Sequence, residues 1–190
     1  MKTSPLTTGS TRQTRVAISF AIGLILVTTA IFLATGGMTH IAERPGFFHT
    51  KANFFTDLNI LAQVILLLGL VVGAFFARRG HITTHQTIQT GLVLFNIVLT
   101  IFIMVVAYYE YVLPGVPAEL RSAHGIVSTI HAALGLLAVL CGIYLILRMN
   151  QIIPKRWRVK WWKNLMRFTL GLYLLVGLFG LGIYYVWYVR

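Results

Sequence analysis

The chain has 190 residues, of which 57% are hydrophobic and only 11% are charged, whereas soluble globular domains carry about a quarter charged residues. This composition excludes an ordinary soluble domain and indicates an integral membrane protein. The formal net charge of +12 would suggest nucleic-acid binding in a soluble protein, but its distribution along this chain follows membrane topology.

Apolar windows of about 20 residues are long enough to cross a hydrocarbon core about 30 Å thick. Five such windows occur, so the sequence predicts an all-α fold, an integral membrane bundle of five transmembrane helices with a cytoplasmic N-terminus. The predicted spans lie near residues 16–38, 56–77, 88–112, 124–148 and 165–188.

The N-terminal segment 1–14 is rich in Ser and Thr and lacks apolar periodicity. We expect it to be a disordered cytoplasmic tail, followed by a five-helix transmembrane domain at 15–190. Basic residues before the first apolar run resemble a signal peptide. That run is longer than the usual h-region of about 7–15 residues, and no clear cleavage site follows it, so we expect an uncleaved signal anchor.

Basic residues are distributed unevenly over the predicted loops. With a cytoplasmic N-terminus, twelve of the sixteen Lys and Arg residues fall on the inner side, which is the bias that orients membrane helices. The outer side holds the remaining four, Arg44, Lys51, Arg121 and Arg190. The basic charge therefore reflects topology, and we expect membrane lipids rather than nucleic acid as its partner.

Polar side chains inside the predicted spans are functional candidates, because a bilayer should exclude them. His124 and His131 in the fourth span are seven residues apart, close to two helical turns, and so lie on nearly the same face. We expect His131, near the midplane, to face the second and third spans, and His124 to lie at the outer mouth. The polar cluster that they would meet consists of Asp57, Asn59, Gln63 and Glu110.

Imidazole and carboxylate groups at similar depth can bind copper or another metal, and a neutral imidazole can ligate haem iron. The candidate cofactor ligands are His131, His124 and His85, with haem b or copper as candidate cofactors. The candidate metal ligands are His131, His124 and Glu110. The structural alternative is an interhelical hydrogen-bond cluster, in which Asp57 and Glu110 reach water or pair with basic residues of the outer loops.

The motif GHITTH places His81 and His85 four residues apart. They would share a helix face and suit a metal pair if the third helix began early. Since Arg78 and Arg79 precede them, we instead expect both to be solvated in a cytoplasmic turn at 78–87. A single haem bound by His85 and His131 is not expected, because the two residues lie at different depths.

Signatures of catalysis are missing from the sequence. Cys141 is the only cysteine, so neither an intramolecular disulfide nor a thiolate zinc site is possible. Nothing resembles a hydrolase triad, a P-loop or a dinucleotide-binding fingerprint. We therefore expect no catalytic residues.

The predicted inner turn at 154–163, PKRWRVKWWK, interleaves three tryptophans with five basic residues. Aromatic and cationic side chains together favour the anionic headgroup layer of the cytoplasmic leaflet. The alternative is that the turn also docks a partner. The expected lipid-binding residues are Lys155, Arg156, Trp157, Arg158, Lys160, Trp161, Trp162 and Lys163.

From residue 54 onward, the order of features resembles the CtaM/YozB-like membrane proteins, the domain of unknown function family 420, linked to maturation of haem-copper terminal oxidases. The stretches that carry the resemblance are FTDLNILAQ at 55–63, ARRGHITTHQ at 77–86, STIHAALG at 128–135 and KNLMRFTLGLYLLVGLFGLGIYYV at 163–186. By this resemblance, Asn59, His85 and His131 occupy family-typical polar positions. Two histidines of the family pattern are replaced, one by Glu110 and one by the stretch 160–163.

The resemblance implies a non-catalytic protein of a bacterial or archaeal cytoplasmic membrane that assists assembly or stability of a haem-copper respiratory oxidase. Two other functions fit the same features. One is a small b-type haem or quinol-linked redox protein. The other is an accessory subunit of a respiratory or photosynthetic complex, bound through glycine-lined faces such as the one from Gly69 to Gly73.

Overall fold

The structure is a computed structural model that describes residues 44–111 and 123–190, except for the side chains of Glu110, Tyr111 and His124. The predicted N-terminal tail and the first predicted span lie outside these residues. The described part is helical, and four of its helices are long and apolar enough to cross a membrane. They correspond to the last four predicted spans.

The four helices follow one another along the chain. Helix α1 is Phe54–Arg78. Helix α2 begins as Ile82–Leu99, continues through a π-helical turn at Thr100–Val105 and ends as Val106–Tyr111. Helix α3 is Ala123–Met149. Helix α4 is Trp162–Tyr184 with a π-helical end at Tyr185–Val189, and a short 3-10 helix, Lys155–Trp157, precedes it.

Both ends of α1 show why the helix begins and ends where it does. The side-chain oxygen of Asn53 accepts a hydrogen bond of 2.9 Å from the backbone N–H of Thr56, which satisfies one of the unpaired donors of the first turn. At the other end, Gly80 has a φ of 82°, in the left-handed region that glycine adopts without strain. The chain can therefore reverse at once into α2.

The helices form an antiparallel ring in which each packs on the next and α4 packs back on α1. The main core cluster joins α1, α3 and α4 through Leu66, Leu70, Ala138, Leu172 and Tyr173. Helices α1 and α4 approach closely at Gly177, where a Cβ atom would lie 2.5 Å from Cδ2 of Leu67. The bundle is therefore tightly packed along its axis.

The two ends of the bundle differ, and we name them by their connections. The loop end carries the segment 44–53, which folds back on itself through a β-bridge between Pro45 and Asn53. The turn end carries the short connection between α1 and α2 and the longer one between α3 and α4. In the predicted topology, the loop end is outside and the turn end is cytoplasmic.

The start of α2 differs from the prediction. The helix begins at Ile82, six residues before the predicted span, so the predicted turn at 78–87 is shortened to Arg79–His81. Polar residues between 83 and 89 lower the local hydropathy, so a search for long apolar stretches does not detect the start of this helix. Several of them face neighbouring helices rather than water, as His85 does.

Most of the apolar surface of the helices faces outward. In each helix, only 22–33% of an apolar stretch of 18 residues is buried inside the bundle. In water, exposed apolar area of this size would be strongly unfavourable. Membrane lipids therefore contact the outer faces of the helices.

Candidate functional site

His85 lies near the start of α2 and reaches α1. Its Nδ1 atom is 2.8 Å from the carbonyl oxygen of Gly73. Because a carbonyl only accepts hydrogen bonds, Nδ1 carries the proton in this contact, and in the neutral imidazole Nε2 is then the nitrogen with a free lone pair. The Nε2 atom is buried and has no hydrogen-bond partner among the described residues. An imidazole anchored through one nitrogen in this way is oriented to ligate a metal through the other.

The expectation that His81 and His85 are both solvated in a turn is wrong for His85. Its side chain is only 6% exposed, because the early start of α2 directs it into the bundle. His81 is the residue that precedes the helix and is exposed to solvent. The two histidines therefore do not form a metal pair on one surface.

A polar layer surrounds His85 at the turn end of the bundle. The side-chain amide of Gln86 donates to the backbone oxygen of Met149 at 3.3 Å and to Oδ1 of Asn150 at 3.2 Å. Gln89 donates to the backbone oxygen of Leu70 at 3.3 Å. We define the turn-end polar layer as His85, Gln86, Gln89, Thr90 and Asn150.

The sequence analysis missed the glutamines and Asn150 in this layer. Their signal was present, since residues 85, 86, 89 and 90 share the spacing of one helix face. The apolar-window criterion placed His85, Gln86 and Asn150 in turns, where polar residues need no partner, and Gln89 and Thr90 at the start of a span. Their hydrogen bonds instead fix the packing of α2 against α1 and the end of α3.

Asp57 is the centre of the loop end and is fully buried, with an exposure of 0%. Its Oδ2 atom accepts a hydrogen bond of 2.8 Å from the backbone N–H of Phe48, and its Oδ1 atom accepts one of 2.7 Å from the hydroxyl of Tyr184. Thr50 lies 3.1 Å from the same hydroxyl. Among the described residues, the carboxylate is thus satisfied by neutral donors, whereas the hydrogen-bond alternative expected it to reach water or a basic residue.

The segment 44–53 closes over Asp57. Any Cβ atom on Gly46 would collide with the Asp57 carboxylate, so this position requires glycine. The backbone N–H of Lys51 donates to the carbonyl oxygen of Tyr188 at 3.2 Å. The segment is therefore attached both to the start of α1 and to the end of α4.

His131 lies on α3 and contacts α4. Its ring centroid is 5.6 Å from that of Phe179, at an interplanar angle of 74°. A Cβ atom on Gly180 would lie 3.2 Å from Cε1 of the imidazole. These contacts place the ring against α4, a neighbour that the expected orientation toward the second and third spans did not include.

Three buried polar atoms in this part of the bundle have no hydrogen-bond partner among the described residues, two on α1 and one on His131. The Asn59 Oδ1, Gln63 Nε2 and His131 Nδ1 atoms are buried and lack a hydrogen bond to the described residues. Leu67 packs on Gly177, so Gln63, one turn before Leu67 and nearer the loop end, lies at about the depth of Gly180 and His131. Gln63 and His131 therefore share a layer between the middle of the bundle and the loop end, and the sequence also predicted them at comparable depth.

His85 and His131 belong to different layers. His85 contacts Gly73, six residues beyond Leu67 toward the turn end, whereas His131 contacts Gly180, three residues beyond Gly177 toward the loop end. At 1.5 Å per residue, these offsets separate the two layers by about 14 Å. The prediction that one haem does not join them agrees with this spacing.

Part of the predicted ligand set falls outside the described residues, namely the side chains of His124 and Glu110. Within the described ranges, no group of three or more His, Cys, Asp or Glu residues is placed to hold a metal ion. A complete metal site built on His131, His124 and Glu110 stays a prediction.

Comparison with known proteins gives no match to this chain among protein-family models, curated proteins or solved structures.

Proposed function

We propose that the protein is a non-catalytic membrane protein that assists assembly or stability of a haem-copper respiratory oxidase. His85 would offer one imidazole nitrogen to a haem in transit. The observation that carries this proposal is the buried Nε2 atom of His85, which has no partner among the described residues while Nδ1 is held by Gly73. The resemblance in sequence supplies the respiratory setting.

The donor chemistry at His85 suits haem iron. Neutral imidazole is the proximal ligand in many haem proteins, and one protein ligand suffices there. The hydrogen bond to the Gly73 carbonyl fixes the tautomer and makes Nε2 a better ligand. Bound haem would supply redox-active iron, and His85 would hold it through Nε2. A single protein ligand favours release to an acceptor over permanent retention.

His131 is the second candidate ligand in this proposal. Its Nδ1 atom is buried without a partner among the described residues, in the same layer as Gln63. Together with His124 and Glu110, it would form the predicted metal site of the outer half. This site would require that the side chain of Glu110 at the end of α2 lies within reach of His124 and His131 on α3.

The rival function is a small b-type cytochrome with two axial histidines. That function needs two imidazoles at one depth on facing helices. His85 and His131 lie in layers about 14 Å apart, so this pair does not favour it. We therefore rank assembly of an oxidase above electron transfer, and place the protein in a bacterial or archaeal cytoplasmic membrane.

The proposal is tested in a strain that lacks the gene and carries it back on a plasmid. The variant His85→Asn keeps a side-chain donor near the Gly73 carbonyl but has no counterpart of Nε2. The matched control is His81→Asn at the exposed position before the helix. We expect loss of oxidase haem absorbance and activity with His85→Asn and normal levels with the control. Normal oxidase in the strain without the gene would overturn the proposal.

A further inference from the structure

The turn end of the bundle carries a positive charge that no acidic residue balances. The four acidic residues of the chain are Glu43, Asp57, Glu110 and Glu119, and the ranges 58–109 and 120–190 contain none. Nine basic residues belong to the two turns and the adjoining helix ends. They are Arg78, Arg79, Arg148, Lys155, Arg156, Arg158, Lys160, Lys163 and Arg167.

The connection between α3 and α4 is folded rather than extended, and Tyr144 of α3 holds it. The Tyr144 hydroxyl accepts a hydrogen bond of 2.9 Å from the N–H of Val159 and donates one of 3.1 Å to the carbonyl oxygen of Trp157. Arg148 donates to the carbonyl oxygen of Val159 at 3.1 Å. The side chain of Arg158 donates to the carbonyl oxygen of Ile153 at 2.9 Å.

These contacts separate the structural cations from the exposed ones. Arg148 donates to the backbone of the turn and lies over the ring of Trp162 at 5.0 Å, so it holds the fold of the turn. Arg156 and Lys163 also lie over tryptophan rings, at 6.0 Å and 5.9 Å, but remain exposed. The side chains of Lys155, Arg156, Lys160 and Lys163 are exposed. We name these four residues the cationic face.

Exposed tryptophans flank the cationic face. Trp157 and Trp161 are 68% and 59% exposed. Indole rings prefer the boundary between hydrocarbon and headgroups, where their ring is apolar and their N–H stays hydrated. The turn joins two membrane-spanning helices, so lipid headgroups are its immediate neighbours.

We propose that the connection between α3 and α4 is a preformed binding site for the phosphate headgroups of anionic phospholipids. The cationic face supplies the charge, the two tryptophans set its depth, and Tyr144 holds its shape. A basic residue near an anionic surface contributes roughly a fivefold gain in binding, less at high salt. This inference is independent of the proposed function in oxidase assembly.

The test is native mass spectrometry of the full-length protein with phosphatidylglycerol and phosphatidylcholine. The first variant replaces the cationic face, Lys155, Arg156, Lys160 and Lys163, by Gln. The matched control replaces the same number of basic residues elsewhere, Arg44, Lys51, Arg121 and Arg190, by Gln. We expect the wild type and the control to retain phosphatidylglycerol in preference to phosphatidylcholine. We expect the cationic-face variant to retain at least tenfold less phosphatidylglycerol than the wild type. Equal retention by all three proteins would overturn the proposal.

A second variant, Tyr144→Phe, distinguishes the effect of the folded conformation of the turn from the effect of its net charge. It keeps every basic residue but removes the hydroxyl that joins Val159 and Trp157. If the site is preformed, phosphatidylglycerol retention falls at least threefold while helix content by circular dichroism is unchanged. Wild-type retention by this variant would show that net charge alone attracts the lipid, which contradicts a preformed site.

Two competitors identify the occupant. Inorganic phosphate at the concentration of the lipid should not displace phosphatidylglycerol, because it lacks acyl chains beside the tryptophans. Polyglutamate should bind the wild type more weakly than vesicles with phosphatidylglycerol do. Displacement by inorganic phosphate, or tighter binding of polyglutamate, would overturn the assignment to lipid in favour of a free anion or an acidic protein partner.

Discussion

The Asp57 carboxylate and the Tyr184 hydroxyl are joined by a hydrogen bond of 2.7 Å that links the first and last described helices at the loop end. Replacing Tyr184 by Phe would leave a buried carboxylate oxygen without this donor, at a cost of about 1–3 kcal/mol. We expect faster hydrogen exchange of the backbone amides in the segment 44–53, measured by mass spectrometry in detergent.

The matched control for this prediction is Tyr185→Phe, at a neighbouring residue that is 59% exposed. It should leave amide exchange in the segment unchanged. If Tyr184→Phe and Tyr185→Phe gave the same exchange as the wild type, the buried carboxylate would not be what holds the segment in place.

Helix positions could be predicted from sequence because apolar windows of bilayer length are visible without any tertiary information. The window for α1 differed from the helix by only two residues at its start and one at its end. The start of α2 was missed because Gln86 and Gln89 lower the hydropathy, although both bond to neighbouring helices. Only the packed structure shows that these polar groups are internal.

The sequence allowed several residues of the candidate site to be predicted, but not the contacts that these residues make. The sequence named His131 and Asp57 because ionisable groups in a membrane span are rare, whereas it named His85 as a candidate ligand but placed it in a solvated turn. It could not show that the Gly73 carbonyl holds Nδ1 of His85, since that contact joins residues on two helices. Nor could it show that the backbone of Phe48 satisfies Asp57, because any loop residue can supply an N–H group.

Close packing of α1 and α4 gives a prediction on stability. A Cβ atom on Gly177 would lie 2.5 Å from Leu67, whereas Gly171 has nothing within 4 Å of the same position. Gly177→Ala should therefore destabilise the bundle by about 1–3 kcal/mol through overpacking. Gly171→Ala should be neutral or stabilising by about 0.5–1 kcal/mol. Thermal unfolding in detergent measures both, and equal melting temperatures would contradict the close approach.

The distribution of charge predicts membrane orientation. Because twelve of the sixteen basic residues then lie inside, we expect the turn end to be cytoplasmic and Arg190 to be outside. Reporter fusions at Arg190 and at Gln151 should be active on opposite sides of the membrane. A cytoplasmic reporter at Arg190 would mean that the orientation is reversed or that one predicted span, most simply the first, does not cross.

His131 and His124 provide a matched pair for the proposed outer site. His131→Leu should insert and fold but lose any bound metal or haem and abolish oxidase maturation, because leucine lacks the imidazole nitrogen that would be the ligand. His124→Leu should have a smaller effect, since the predicted position of His124 is within reach of headgroups. The haem absorbance of membranes measures maturation. Full oxidase activity with His131→Leu would make this histidine a packing residue against Phe179.

The central claim, that Nε2 of His85 is a haem ligand, is tested most directly by titrating the purified protein in detergent with haem b. Absorption and electron paramagnetic resonance spectra report histidine ligation. We predict one haem per wild-type chain, unchanged binding by His81→Asn, and at least tenfold weaker binding by His85→Asn, which retains the fold by circular dichroism. Binding of equal affinity by the His85→Asn and wild-type proteins, or no saturable binding by the wild type, would contradict the claim.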